Sequence, residues 1–227
     1  MKAELLFCLL AVSGAMAAES CYANALMQCT PASTNLELLN CNAKYGDYNS
    51  RSLVAMELQA YATLHLERSY DYLLEAAYFN NYKTNRGGFS KLFRKLSDDA
   101  WEKTIDLIKH VTMRGDKMNF TQQSIQGPAS RKDYTVELYE LEAMAKALDT
   151  QKELAERAFH IHKAATRNSE HLHDPEITQY LEEEFIEYQA KKIRDLAGHT
   201  NDLKHFAKDK DLSLSLYLFD EYLKKVV

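Results

Sequence analysis

The sequence predicts an all-α chain, with four long helices in a bundle and a short fifth helix at the C-terminus. Composition is the first reason: 227 residues hold only 7 Gly and 3 Pro, and the Ala/Leu/Glu/Lys-rich stretches between them favour helices over sheets with many turns. Periodicity is the second, because apolar residues in those stretches recur at the spacing of a helix with one buried face. With 46% hydrophobic and 27% charged residues, the chain can bury one good-sized core, so a single folded domain is expected.

The N-terminus reads as a secretory signal. Lys2 precedes the apolar run LLFCLLAV at 5–12, and Ala15-Met16-Ala17 forms an A-x-A cleavage site. That run is well short of the roughly 20 residues that span a bilayer, and no later segment is apolar enough to do so. Residues 1–17 are therefore expected to be removed, 18–51 to form a cysteine-containing extension and 52–227 to form the helical domain. Loss of the signal takes Cys8 and leaves Cys21, Cys29 and Cys41. In an oxidising compartment two of the three can close a loop, and the odd thiol is expected to pair with a partner subunit. The spacings C-x₇-C and C-x₁₁-C, with no histidine between them, do not match a zinc site. They do not say which two pair.

The first long helix runs from about Ser52 to Tyr82 and stops at Asn85-Arg86-Gly87-Gly88. The second covers about Phe89 to Met113. A polar stretch from Arg114 to Ser130, with Gly115, Gly127 and Pro128, is long enough to cross the length of a bundle, so its flanking helices are expected to run parallel. The third helix spans about Lys132 to Thr166, and RNSEHLHDP leads into the fourth, with Asp174 as N-cap and Pro175 in the first turn. LSLSLYLFDEYLKK closes the chain as the fifth. One long crossover among four helices suits a bundle of the di-iron kind and equally a secreted cytokine-type bundle. The net charge of −5 and pI near 5.9 supply no footprint for nucleic acid, and no basic amphipathic segment points to a membrane.

Di-iron bundles carry Glu-x-x-His, because carboxylates bridge two irons while a histidine caps one. On the second helix Phe89, Leu92, Phe93, Leu96, Ala100, Leu107 and Val111 make the inward arc. Ala100 sits in its middle and Lys103 at its edge, so a methyl and a cation fill the places of an inward carboxylate and histidine. The third helix has the stripe Leu141, Met144, Leu148, Ala155 and Phe159 with Gln151 within it. The fourth has Leu181, Phe185, Tyr188 and Leu196 with Gln189 at the border. Neutral amides bind iron weakly, and a glutamine near a core is more often a hydrogen-bonded structural residue.

Other polar clusters are more ambiguous. In LSDDAWEKTIDLI at 96–108, Asp98, Asp99, Glu102 and Asp106 fall within about 100° of one another, away from the apolar arc. Lys95 and Lys109 lie there too, at i+4 and i+3 spacing, so a solvated face explains the acids as well as a metal patch does. His160 and His162 point to different helix faces, and His171 and His173 sit in a polar loop, so neither pair makes a good metal site. The 14 tyrosines read as packing with boundary hydroxyls. Asn119-Phe120-Thr121 is a glycosylation sequon in the crossover.

Taken together, SYDYLLEAAYFNNY at 69–82, the F-x₂-LF-x₂-LSDDAWE run from Phe89, HKAAT at 162–166, the DP opening the fourth helix with YLEEEF after it, and SLYLFDEYL near the end resemble the ferritin family. The likeness lies with the secreted light-chain homologues of insects and spans about Ser52 to the C-terminus. It implies a ferritin-like four-helix bundle with a long crossover between helices two and three. In catalytic ferritin chains the ferroxidase ligands are a glutamate with a tyrosine seven residues on, a Glu-x-x-His, a glutamate and a glutamine. The resemblance places His65 and Tyr72, Ala100 and Lys103, Gln151, and Gln189 at those positions. Only Tyr72 and Gln189 match, which implies a chain that is not an enzyme. The buried Lys103 needs a partner that the sequence does not name.

The resemblance further implies a shell of 24 subunits shared with catalytic heavy-type chains, disulfide-linked partners, stored ferrous and ferric iron with no organic cofactor, and passage through the secretory pathway (ER and Golgi) to the outside. It makes Asp98, Asp99 and Glu102, extended by Asp106, candidates for binding ferric ions that seed the mineral. Glu182, with Gln179 at the companion position, becomes a candidate for a three-fold channel. Its neighbours Glu183 and Glu184 are acids too, so surface exposure accounts for it equally well. Two other readings stay open at this point: a self-sufficient ferroxidase, and a secreted helical signalling or carrier protein that binds no iron.

Overall fold

A computed structural model describes Cys21, residues 41–45, Tyr48, residues 52–120, 136–137, 139–166, 173–206, Lys208 and 211–227. Residues 1–17, expected to be a signal, and Cys29, Gly127, Pro128 and His171 lie outside the described residues. The chain forms two compact units, Met1–Ala43 and Lys44–Val227. In the first, Cys21 and Cys41 form a disulfide. The second is the helical bundle, and it already includes Tyr45 and Tyr48.

Helix α1 is Leu53–Phe79, capped by the Ser52 hydroxyl, which accepts the Ala55 N–H. Asn85 turns the chain with φ 48°, and α2 follows as Gly87–Met113. The two glycines expected as a break are its first turn. No side chain of its own segment caps that turn, but the Asp220 carboxylate accepts the Gly88 and Phe89 N–H groups at 2.8 and 3.1 Å. A cap supplied from the chain's far end extends the helix. Glycine is required here by space, since a Cβ on Gly88 would lie 2.1 Å from the Asp220 carbonyl oxygen.

Helix α3 is Glu140–Thr166, later than the expected Lys132 start. The Glu137 N–H donates instead to the buried Glu75 carboxylate on α1. The fourth helix is interrupted: α4, Pro175–Leu181, passes through one π turn, Glu182–Ile186, into α5, Glu187–Phe206. Asp174 caps α4 as expected, accepting from Ile177 N–H. Helix α6, Leu212–Val226, begins at an Asp211 cap. Ser69 meets Ser97 and Phe79 meets Phe93 between α1 and α2, while Glu57 meets Arg157 and Glu75 meets Lys146 between α1 and α3. Both neighbours are thus antiparallel to α1, so α2 and α3 are parallel, as the crossover length predicts.

The α2 arc is buried throughout as predicted, but the α3 stripe needs correction. Phe159 is 56% exposed, and Leu154, Ala158 and Ile161 face the core instead. Alanines at 143, 147, 158 and 165 let this helix approach its neighbours closely, and a reading weighted to large side chains follows the wrong phase. On the fourth helix the π turn inserts an extra residue per turn, leaving Gln189 fully buried and Tyr188 at the border.

Two apolar clusters fill the bundle. One contains Leu58, Tyr61, Leu107, Val111, Leu154, Ile161, Ile177 and Phe185. The other contains Phe79, Phe89, Phe93, Met144, Leu196, Leu203, Phe219 and Leu223. Burying one such side chain contributes about 1.5–3 kcal/mol. On every long helix the residues between the clusters are polar or small: His65 and Ser69, Ser97, Ala100 and Thr104, Gln151, and Gln189, all buried. This polar waist is where the candidate site sits.

Candidate functional site: the polar waist, the acidic face and the Glu182 end

At the waist, α1 supplies His65 and Tyr72, α2 supplies Ala100 and Lys103, α3 supplies Gln151 and α5 supplies Gln189. The Gln151 Nε2 donates to the Tyr72 hydroxyl at 2.9 Å, which in turn donates to the Ala147 carbonyl at 3.4 Å. Burial pushes the Tyr72 pKa up and keeps the phenol neutral. His65 packs edge-on between Tyr61 and Phe185, with ring centroids 4.6 and 5.6 Å away. Burial, helped by the nearby Lys103 cation, pulls its pKa down to about 3. Neither His65 ring nitrogen, nor Oε1 of Gln151 or of Gln189, has a hydrogen-bond partner among the described residues.

Lys103 finds its partner through the π turn. That turn brings Glu184 Oε2 to 2.9 Å from Lys103 Nζ, and the ammonium also lies 5.2 and 5.4 Å from the Phe185 and Tyr188 ring centroids. The waist therefore presents neutral nitrogen and oxygen donors beside a fixed cation. Two ferric ions need carboxylates to offset their charge, and a neighbouring ammonium repels them.

The four acids of α2 do not form one patch. Asp98 is exposed and pairs with Arg94 at 2.9 Å, and Glu102 is exposed on the next turn beside Trp101. Asp99 is turned toward the fourth helix, half-buried, and accepts from the Tyr188 hydroxyl and Lys192 Nζ, both at 2.6 Å. It is held there by a phenol and an ammonium, whereas its i+4 partner Lys95 reaches the Val227 carbonyl. Asp106 does take the expected i+3 partner, Lys109, at 3.8 Å, and lines a groove with His110, Glu176, Tyr180 and Glu184.

Glu182 is exposed at the start of the π turn, and its carboxylate lies 2.7 Å from His162 Nε2 on α3. The Gln179 amide donates to Glu183 at 2.9 Å. His162, which helical spacing marks only as a poor metal ligand, thus meets Glu182 across two helices. At the same end of the bundle the fully buried Arg114 pairs with Asp174 at 2.7 Å and with Glu176. It also lies 4.3 and 4.6 Å from the Tyr45 and Tyr48 rings. Arg114 was not legible as a core residue, because a charged side chain in a crossover normally reads as solvated. Asn119 is exposed, and its N–H donates to Gln59 Oε1 at 3.0 Å.

Residues 56–206 match the family model described as a ferritin-like domain. The chain is 68% identical to the ferritin light chain of Trichoplusia ni over 223 residues, 97% of this chain and 96% of that protein. It is 41% identical to the ferritin light chain of Drosophila melanogaster over 222 residues, again 97% and 96% of the two chains. The fold superposes on the crystal structure of Trichoplusia ni secreted ferritin with a TM-score of 0.86 at 68% identity, covering 92% of this chain and all of that one. The chain belongs to the ferritin family.

Proposed function

We propose that this chain is the non-catalytic, light-type subunit of a secreted iron-storage shell, in which a heavy-type partner oxidises ferrous iron and this subunit supports assembly and ferric mineral growth. The observation that carries the reading is the Lys103 ammonium. It stands with Glu184 beside a neutral His65 in the waist where ferroxidase chemistry needs bridging carboxylates. Iron is the cargo, and the exposed acids Asp98 and Glu102, with Asp99 and Asp106 on their flank, are the proposed nucleation surface. Hard oxygen ligands suit ferric iron, and an open cluster holds ions without a closed geometry. Secretion through the ER and Golgi is supported by the likeness to a secreted ferritin and by the Cys21–Cys41 disulfide, which persists in an oxidising compartment.

The test is oxidation by the purified chain alone. Given ferrous iron and oxygen, it should show no rapid, saturable two-iron phase, whereas the shell mixed with heavy-type chains should. A saturable phase in the chain alone overturns the reading. With Cys21 and Cys41 paired, the odd thiol falls to Cys29, and we assign the link to a heavy-type subunit to it. Non-reducing gels of the native shell should show a cross-linked pair of unlike chains that Cys29→Ser abolishes. Bands at monomer mass alone sink that assignment.

A further inference from the structure

We propose that His110 is a positioning residue for metal uptake: stacked on Tyr180, it stops the π turn of the fourth helix from slipping toward α4, and so fixes where the Glu182 carboxylate meets an incoming hydrated divalent cation. The proposal rests on the iron-storage reading above, with Glu182 as the acid that meets the ion.

The fourth helix is held to α2 at successive levels. His110 Nε2 lies 2.8 Å from a Glu176 carboxylate oxygen, and its ring stacks on Tyr180 with centroids 3.9 Å apart and planes 3° from parallel. Lys103 Nζ pairs with Glu184 at 2.9 Å and lies 5.4 Å from the Tyr188 ring centroid. One turn further along, Asp99 accepts from Tyr188 and Lys192. On α2, His110 and Lys103 are seven residues apart, about two turns of α-helix. Their partners on the fourth helix are eight apart, both in the ion pairs, Glu176 to Glu184, and in the ring contacts, Tyr180 to Tyr188. The fourth helix must therefore take up one extra residue between the two contacts.

A π turn takes up that residue, and it lies in this interval: Glu182–Ile186, with the Glu187 N–H donating back to the Glu182 carbonyl. The two contacts bound it on either side. His110 holds Tyr180 in register with α4, and Lys103 holds Glu184 and Tyr188 in register with α5. Glu182 opens the turn in register with α4, exposed, with its carboxylate 2.7 Å from His162 on α3. Slippage past Tyr180 would put Glu182 in register with α5, a rotation of about 100° that carries the carboxylate off that side. Slippage the other way leaves Glu182 where it is and stops at the Asp99 contacts. Aim at the ion thus depends on the His110 contact and not on the Lys103 contact.

The experiment is ferrous uptake by the shell mixed with heavy-type chains, read as the iron concentration that gives half the maximal initial rate. Glu182→Gln is the reference and should raise that concentration. His110→Val and Tyr180→Leu, which alter no carboxylate, should raise it by about three- to tenfold, the range of one weakened charged hydrogen bond. The effect should fall on that concentration rather than on the plateau rate, which the heavy-type chains set. Tyr180 is only partly buried, so its variant carries the test if His110→Val does not assemble. His110→Phe keeps a stacked ring and should stay near the parent, as should Lys103→Met, which loosens only the opposite contact. Parent-like uptake by His110→Val and Tyr180→Leu beside an impaired Glu182→Gln overturns the positioning role and leaves Glu182 its own. An equal shift in Lys103→Met reduces His110 to a structural residue and overturns the proposal too. If Glu182→Gln matches the parent, capture by Glu182 fails and the proposal with it, whereas the iron-storage reading fails only if the parent shell takes up no iron.

Discussion

Lys103 Nζ and Glu184 Oε2 stand 2.9 Å apart across the polar waist, with the lysine side chain 15% and the glutamate 49% exposed. Truncating one partner of such a pair costs more than replacing both with apolar groups. Glu184→Gln is expected to destabilise the subunit by about 1 kcal/mol, a figure reduced for the exposed glutamate. Lys103→Met, whose side chain still packs on Phe185 and Tyr188, should cost less. Denaturant midpoints of the two variants check the order, and a larger loss for Lys103→Met contradicts it.

His65 makes stability pH-dependent. Its folded pKa of about 3 lies below the ordinary 6.5 because burial, with Lys103 nearby, disfavours the charged ring. Below pH 6.5 the unfolded chain takes up a proton that the folded one refuses, so stability falls as pH drops from 6.5 toward 3. The slope approaches about 1.4 kcal/mol per pH unit, a total on the order of 5 kcal/mol. His65→Leu should flatten that part of the unfolding profile between pH 6.5 and 4. An unchanged slope in the variant rules out His65 as its source.

The α2 acids separate into two classes with different expected phenotypes. Asp98→Asn with Glu102→Gln should leave the unfolding midpoint within about 0.5 kcal/mol of the parent and slow mineral growth in a shell mixed with heavy-type chains. Asp99→Asn, which weakens acceptance from Tyr188 and Lys192, should cost about 1–2 kcal/mol. Trp101 is the sole tryptophan and is 51% exposed between Asp98 and Glu102, so ferric ions bound there should quench its fluorescence in the isolated chain. Equal quenching in the double variant returns Asp98 and Glu102 to a solvated face.

Glu182 and His162 form a pair at the bundle's other end. If that end lines a channel, Glu182→Gln should slow iron uptake by the mixed shell, and His162→Ala should leave Glu182 charged and uptake no slower. Equal uptake by Glu182→Gln and the parent removes the channel role.

Gly88 and Asp220 tie the C-terminal helix to the start of α2. Gly88→Ala forces a Cβ into the Asp220 backbone and should cost about 1–3 kcal/mol, the range for overpacking. Asp220→Ala removes the cap from two N–H groups and should cost about 0.5–2 kcal/mol. Thermal melts read both, and a neutral Gly88→Ala would mean the helix shifts freely.

Local chemistry determined much of this molecule. Apolar periodicity marked the inward arc of α2, Asp174-Pro175 marked the start of the fourth helix, and the missing inward carboxylate at Ala100 was visible because one helix is enough to define what faces inward. The order and spacing of short motifs pointed to the family. What remained hidden depended on a second element brought close by folding. The partner of Lys103 required a π turn some eighty residues away, the cap on α2 came from Asp220 at the far end of the chain, and Asp99 left its neighbours for Tyr188 and Lys192. Helical spacing describes one helix at a time, so the sequence alone determined which side chains could meet a partner. Tertiary packing decided which partner each one met, because ion pairs and caps form at a few ångströms between atoms whose separation along the chain carries no such information.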